Sequence, residues 1–581
     1  MGALGEATAR ANTLTVTSTA DNTTGPGCTL RMAVAAANSG ATNACGHGTG
    51  NKDTIQIGIA GSVTIALNPT LGPLQITHSM KIQGNFNGQA PNYTTVTIST
   101  TSGSIITIPS GSTNTLVLQW LRLTGGNAGT GNGGCLALNG GDVVDLNVVQ
   151  IDHCSANGGG AIYSNANGVA AYGSYIHDNT AAFGGAVDLP ASARSVVSYA
   201  STFSNNRATT SGGAIYGNNA RVELYESIVS GNTANTDGGG VYTAACDGVN
   251  MTNTTIANNV ATHGRGGGVY FEGLTGSGYW EVSNITMAHN SAGTAGGGLY
   301  LAAVTGTIQD GNNIFAYNTA PQGPDVSGNA QFFGAQPDIV TNTSGATPPL
   351  SGYGTWIVTD PQLGTLQSIG GTPAVYPLLP NSPAIQAGQT VTSFDQRGMC
   401  RAQLTTPDIG AFEYSPDSTY VVTSVNSGMV LDDPGSSHNA GTQMDQWSLN
   451  NGLNQQWQLV WLPAMGSPVS LVSRASSLML GVRGASTTAG AAVEQETYQF
   501  EGSPSQTWTL SPAGVGTGYF TLTNVNSHLV MDVVGASKTA GALIDQWTSN
   551  NNANQKWTFT VNPTTPLCPD YVSATTFSSP F

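Results

Sequence analysis

Lysine is nearly absent from this chain: 581 residues contain four, with eleven arginines set against 31 acids. The resulting formal charge of −16 argues against nucleic acid, whose phosphates need clustered cations. It also disfavours anionic polymers, so a neutral polysaccharide or glycan is the expected partner. No apolar run approaches the ~18 residues of a membrane-spanning helix, so no membrane span is expected. The seven cysteines contain no Cys-x-x-Cys pair, which removes the usual zinc sites. Cys28 and Cys45 close a short loop and could form a disulfide, Cys135 and Cys154 are a second candidate pair, and the odd count leaves at least one thiol free. No G-x-S-x-G, H-E-x-x-H or phosphate-loop pattern occurs. The N-terminus has no signal peptide and reads as a mature or re-started end. A secreted, extracellular or cell-surface protein is expected.

What the chain has in abundance is glycine, 77 residues, and it recurs in register. Gly-Gly-small-aliphatic anchors begin at 133, 159, 184, 212, 238, 266 and 296. A second anchor places an apolar residue three before Asn: Ile176–Asn179, Phe203–Asn206, Val229–Asn232, Ile256–Asn259, Met287–Asn290 and Phe315–Asn318. Both step by about 25–31 residues, with short alternating strands between them and no helical stripe. A period this short fits the coils of a right-handed parallel β-helix; propeller blades need about 40 residues. Stacking turns like positions into columns. Ile162, Val187, Ile215, Val241, Val269 and Leu299 should point inward, and the asparagines should form an amide ladder at a tight turn where Asn tolerates unusual backbone angles.

After residue 415 the pattern changes. Residues 429–457, 478–508 and 529–557 are three copies of one unit, ending at Trp457, Trp508 and Trp557. A threefold repeat of about 50 residues closes a β-trefoil. The fold class expected is therefore all-β: a parallel β-helix over 1–415 followed by a trefoil over 418–562 and a tail over 563–581. Within the β-helix, a cap region at about 12–100, regular coils at about 104–330 and a closing segment at about 331–415 are expected.

Acids and histidines concentrate in two coils. Aligned on the asparagines, one column reads Asp152, His177, Ser204, Ser230, and the next reads His153, Asp178, Asn205, Gly231. Outward of the inward aliphatics runs Tyr163, Asp188, Tyr216, Tyr242, Tyr270, Tyr300. Exposed tyrosines in a row would make a track for sugar rings, and Asp188 interrupts it. Acids at one point along such a track suit general acid–base hydrolysis, with Asp178 and Asp188 as the carboxyl pair, Asp152 as a further acid of the patch, and His153 and His177 tuning them. The same groups could satisfy each other's charge as structure, or hold a divalent cation such as calcium; no cofactor is required. Asp237 and Arg265 read as a surface ion pair.

Two resemblances add to this reading. CTLRMAVAAANS (28–39), LLPNSPAIQAG and FDQRGMCRAQLTTPDIGAFEY (394–414) resemble the end segments of secreted bacterial β-helix proteins of the choice-of-anchor and polymorphic outer-membrane types, with Thr29 and Met32 departing from the motif. That family implies fold and export, not chemistry. The three C-terminal units resemble ricin-type lectins. The resemblance implies sugar-binding acids at Asp432 and Asp532, stacking aromatics at Trp447 and Trp547 preceded by Gln446 and Gln546, and polar clamps at Asn454–Gln455 and Asn554–Gln555. In the middle lobe Gly481 replaces the acid and Glu496 the aromatic, so that lobe is expected to be structural. The function expected is a polysaccharide-degrading enzyme, a glycoside hydrolase rather than a lyase, held on its glycan by a lectin module. The alternative is a non-catalytic glycan-binding adhesin or matrix protein.

Overall fold

A computed structural model describes residues 11–562, apart from 86–95, 167, 191–193, 246–247, 274–278, 304–306, 330, 333, 335, 346–354, 368–372, 380–381, 390–391, 402–405, 415–418, 462–468, 498–503 and 515–516. Cys246, Cys568 and the expected tail at 563–581 lie outside the described residues. The chain divides into two compact units between Val358 and Thr359.

The first unit is a parallel β-helix. Successive coils give one strand each to three long parallel sheets, running from Thr13–Val16 to Gln331–Phe332, from Val63–Ala66 to Trp356–Ile357, and from Leu74–Gln75 to Val326–Gly328. Alternation explains the arrangement, because apolar residues at every second position all face one narrow core. The expected inward column is in register from Ile162 through Val187, Ile215, Val241 and Val269 to Leu299, and all six are buried.

The asparagine ladder also forms. Nδ2 of Asn179, Asn206, Asn232, Asn259 and Asn290 donates to Oδ1 of the next asparagine at 2.9–3.0 Å. Each also donates to a backbone carbonyl of the coil before. The unusual backbone angle does not fall on these residues. It falls one position earlier, on His153, Asp178, Asn205, Gly231, Asn258, His289 and Tyr317, at φ between 54° and 66°. The ladder asparagines are buried for their amides, and the residue before each makes the turn. A hydroxyl series that the sequence reading did not single out, Ser174, Ser201, Ser227 and Thr254, accepts backbone N–H bonds at another corner of the coils.

One α-helix, Leu30–Ser39, covers the first coils against Thr13–Val16 and Asp53–Ile57. Thr29 Oγ1 caps it by accepting from Met32 N, Gly40 ends it at φ 65°, and Leu30, Ala33, Val34 and Ala37 supply its apolar face. Disulfides join Cys28 to Cys45 and Cys135 to Cys154, and Cys400 is disulfide-bonded as well.

The second unit begins at Thr359, earlier than the boundary expected from sequence. The described residues of 359–414 add no further strand to these sheets, and several of their charges pair with one another. Asp395 accepts from Arg397 Nε at 2.8 Å and from Glu413 N at 2.9 Å, and Arg401 lies 3.5 Å from Glu413. Gln367 attaches this segment to the last trefoil strand, accepting from Val561 N and donating to Phe559 O. The trefoil closes by antiparallel pairing of Thr419–Ser424 with Trp557–Asn562. Trp457, Trp508 and Trp557 are fully buried, each Nε1 donating to a strand carbonyl of its own lobe, Leu431, Leu480 or Met531.

Candidate functional site

The acid–histidine patch expected on the β-helix separates into two places. Asp152 and His177 are neighbours in register on the second sheet, but both are already engaged. Asp152 is fully buried and receives Arg122 Nε at 2.7 Å and Nη2 at 2.9 Å, Thr124 Oγ1 at 2.6 Å and His153 Nδ1 at 2.7 Å. Burial alone would raise its carboxyl, yet these partners hold it down at about 2. It is a structural carboxylate and cannot serve as a proton donor near neutrality. Arg122, one coil before it, is not singled out by the column of acids and histidines, because it stands two residues before Thr124, the position in register with Asp152. His177 contacts Asp178 Oδ2 through Nδ1 at 2.5 Å and Gln150 through Nε2 at 2.9 Å, and stacks on Tyr175. His153 pairs with Asp152 rather than with Asp178.

Asp188 lies on the third sheet, in register with Tyr163 and Tyr216, beyond the short strand Thr180–Ala181. Asp178, in the turn after Tyr175–His177, and Asp188, on the strand Val187–Leu189, are thus held by different parts of the coil. Asp188 is 5% exposed, its Oδ1 has no hydrogen-bond partner, and burial lifts its carboxyl to about 7. Gly158 permits this placement, since a Cβ there would fall on Asp188 Oδ2.

The tyrosine column is real, but from Tyr216 onward its rings face one another. Tyr216, Tyr242, Tyr270 and Tyr300 stack face to face at 4.9–5.4 Å within 5° of parallel. Each ring covers its neighbour, Phe183 packs on Tyr216 and Arg265 on Tyr270 and Tyr300, and Tyr270 is buried. Sugar stacking needs a free ring face, which Tyr216, Tyr242 and Tyr270 do not offer; Tyr163 stands outside the stack, beside Asp188. Tyr242 donates to Glu272 at 2.9 Å, and Asp237 and Arg265 form the expected ion pair at 3.0 Å.

In the trefoil, lobes 1 and 3 each assemble one site twice over. Asp432 Oδ1 accepts from Asn454 Nδ2 at 2.9 Å and Gln455 Nε2 at 2.7 Å; Asp532 Oδ1 accepts from Asn554 at 2.7 Å and Gln555 at 2.9 Å. Trp447 and Trp547 are each 46% exposed, large apolar faces left open beside these acids. In lobe 1 a cavity of about 260 Å³ is lined by Asp432, Asp445, Trp447, Asn450 and Asn454. Each indole reaches across to a glycine of the neighbouring lobe, Trp447 to Gly541 and Trp547 to Gly490.

Four assigned contacts change role. Gln446 and Gln546 are fully buried, because side chains alternate along a strand and Gln446 must point away from Trp447. Gln446 Nε2 donates to Ser537 O and Thr539 O of lobe 3, and Gln546 Nε2 to Ser486 O and Thr488 O of lobe 2. Gln495 does the same from lobe 2 to Ser437 O and Asn439 O of lobe 1, so the three glutamines clasp the lobes in a ring. Gln455 and Gln555 are also buried with both amide ends engaged: Nε2 holds the acid, and Oε1 accepts from Asn450 N or Asn550 N. They position the acids and do not face the cavity.

The sequence reading missed Asp445 and Asp545, which stand directly opposite Asp432 and Asp532 across paired strands. The signal was available, since each lies two residues before the tryptophan and so on its face. Burial, with Asp432 or Asp532 alongside, lifts both to about 7.

Compared with known proteins, residues 411–496 and 504–567 match the ricin-type beta-trefoil lectin domain-like family, and residues 200–218 match the Chlamydia polymorphic membrane protein repeat. No curated protein matches the chain. Among solved structures, the designed threefold-symmetric protein ThreeFoil is 35% identical over 24% of this chain and 96% of its own, at a TM-score of 0.23. An exo-beta-1,3-galactanase from Clostridium thermocellum is 30% identical over 26% of this chain and 33% of its own, at 0.23. The Macrolepiota procera ricin B-like lectin, in complex with lactose, is 24% identical over 26% and 100%, at 0.22. Among the described residues no helix is long and apolar enough to cross a membrane. Over the matched segments the C-terminal part of this chain is a ricin-type β-trefoil lectin domain, joined here to a parallel β-helix.

Proposed function

We propose that the protein is a secreted or cell-surface carbohydrate-active protein that holds a glycan through lobes 1 and 3 of its trefoil. The observation that carries this is the duplicated constellation of a buried acid held by two amides beside a half-exposed tryptophan. Carboxylate and amide oxygens accept hydroxyl protons while an indole covers a pyranose face. Retention of the full chain on immobilised polysaccharides tests it. Asp432→Ala with Asp532→Ala should abolish retention, and retention at wild-type strength would remove the reading.

For the β-helix, glycoside hydrolysis is the activity that one further observation favours. Asp188 is a buried, unpartnered carboxyl that keeps its proton close to neutral pH, the condition a general acid needs to protonate a leaving glycosidic oxygen. A tethered lectin would raise the local concentration of substrate for it. New reducing ends from a polysaccharide panel test this. On a substrate so identified, Asp188→Asn should lower turnover by about 100-fold or more. Full activity of Asp188→Asn and of Asp178→Asn would place the chemistry elsewhere. No cleavage of any glycan that the protein binds would leave the adhesin or matrix reading.

A further inference from the structure

In the sites of lobes 1 and 3 the polar side-chain atoms left without a partner are acceptors. In lobe 1, Asn454 Nδ2 and Gln455 Nε2 are already committed to Asp432, and a hydrogen bond joins Asp432 to Asp445. Asp445 Oδ1, on a side chain 7% exposed that lines the cavity, has no partner. In lobe 3, Asp545 Oδ1 (6% exposed) and Asn554 Oδ1 both lack one. Two carboxyls face each other at each site, and no lysine or arginine among the described residues forms an ion pair with any of the four. The charged groups beside Asp445 are Asp432 and Asp433, with His438 next to Asp433; beside Asp545 it is Asp532.

Lobe 2 shows what this arrangement lacks. Glu494 stands where lobes 1 and 3 have Asp445 and Asp545, and there the guanidinium of Arg483 pairs with it. Arg483 opens the short 3-10 turn Arg483–Ala485, and the matching turns in lobes 1 and 3 open on Pro434 and Val534, which carry no charge. One lobe thus supplies its own cation to this position and the two open lobes do not. Two facing acids with an unpartnered acceptor beside them, and no cation from the protein, call for a ligand that donates hydrogen bonds and brings positive charge.

We propose that lobes 1 and 3 recognise an unacetylated amino sugar, with its ammonium seated against Asp445 beside Asp432, or against Asp545 beside Asp532, as Arg483 is seated against Glu494 in lobe 2. This rests on the lectin reading and narrows the glycan from the neutral polymer expected from sequence to a basic one. The ammonium contributes three donors, and the tryptophan covers the ring that carries it. Asp445 and Asp545 are then the specificity-determining residues.

The test is calorimetric titration of the full chain at pH 6.5 with a β-1,4-linked glucosamine hexamer, its fully N-acetylated counterpart, lactose, and calcium chloride alone. The glucosamine hexamer should bind about 10-fold or more tighter than the acetylated one, the scale of a charge-assisted hydrogen bond. Asp445→Asn with Asp545→Asn should erase that preference. It removes at most two of the sixteen formal net negative charges, so loss of the preference separates a seated ammonium from general attraction to an acidic protein. Equal or tighter binding of the acetylated hexamer or lactose, dependent on Asp432 and Asp532, would overturn the proposal and leave the lectin reading standing. Calcium binding that the double variant abolishes, without any preference for the amine, would overturn it in favour of a metal site. Failure to retain any glycan would remove both readings.

Discussion

The Glu496 carboxylate occupies the space in which a side chain on Gly481 would have to begin. Gln506, the counterpart of the glutamines that hold Asp432 and Asp532, donates instead to Glu496 Oε2 at 3.0 Å. The middle lobe has thus replaced its ligand acid with one that folds back from the aromatic position and fills the site. Glu496→Ala is expected to leave glycan retention unchanged, whereas Trp447→Ala with Trp547→Ala should weaken it at least about 10-fold, the loss of two aromatic stacking contacts. Parallel retention assays on one immobilised glycan separate the lobes.

Along the β-helix, adjacent asparagines should behave oppositely. Asn259→Ala removes an amide fully buried between two coils and should cost about 1–3 kcal/mol in denaturant unfolding followed through the β-helix. Asn258→Gly, at φ 56°, should be tolerated or slightly stabilising, because glycine adopts that conformation without strain. Val241→Asp should prevent folding of this unit, since it would place an unpaired charge in the core.

Asp188 links the catalytic proposal to a stability measurement. Its folded-state carboxyl is raised to about 7 from an ordinary value near 4, so the folded protein binds the extra proton between those values. Stability attributable to this group is full below about pH 4 and declines as pH rises to about 7. Asp188→Asn should therefore gain stability relative to the parent across that window, by roughly 1–3 kcal/mol at pH 7.5, while losing any hydrolytic turnover. Melting of the two proteins in parallel from pH 4 to 8 reads the difference directly.

Asp152 has the opposite sign. Its depressed carboxyl contributes stability that is present above about pH 4 and is lost as pH falls towards 2. Arg122→Ala should lower stability at pH 7, on the order of 2–3 kcal/mol, because the buried carboxylate loses its charged partner. The gap between variant and parent should close in acid. A gap that persists unchanged at pH 2 would mean that Arg122 acts through packing alone.

Much of this was legible in the sequence, and the residues show where legibility stopped. Val241 and the ladder asparagines could be placed because stacking coils must repeat their registers. Lobes 1 and 3 could be told from lobe 2 because Gly481 and Glu496 replace ligand residues. The errors arose where residue type was weighed without direction. Gln446 and Trp447 are neighbours and so face opposite ways, while Asp445 shares the face of Trp447. The tyrosines were correctly aligned, but the same stacking that aligned them closed the ring faces of Tyr216, Tyr242 and Tyr270. Asp178 and Asp188 stand ten positions apart in sequence, yet different parts of the coil hold them.

The asparagine ladder has a direction. Side chain to side chain, every amide donates to the asparagine of the following coil, so the series needs a first donor and a last receiver. It begins with Cys154 N donating to Asn179 Oδ1 at 2.9 Å, and ends where Asn318 Nδ2 meets Asp325 Oδ1 at 2.8 Å. A carboxylate has nothing to pass on, and Asp325 is itself held by Thr341 Oγ1 and Asn342 N. Any middle coil joins its neighbours through the same donor above and acceptor below, which makes it an interchangeable part: whole coils are the natural unit of lengthening or shortening, while the terminator is unique. Shuffling coils between Asn206 and Asn290 should preserve the fold, and a chain cut before Asp325 would present an open amide row to the next molecule it meets.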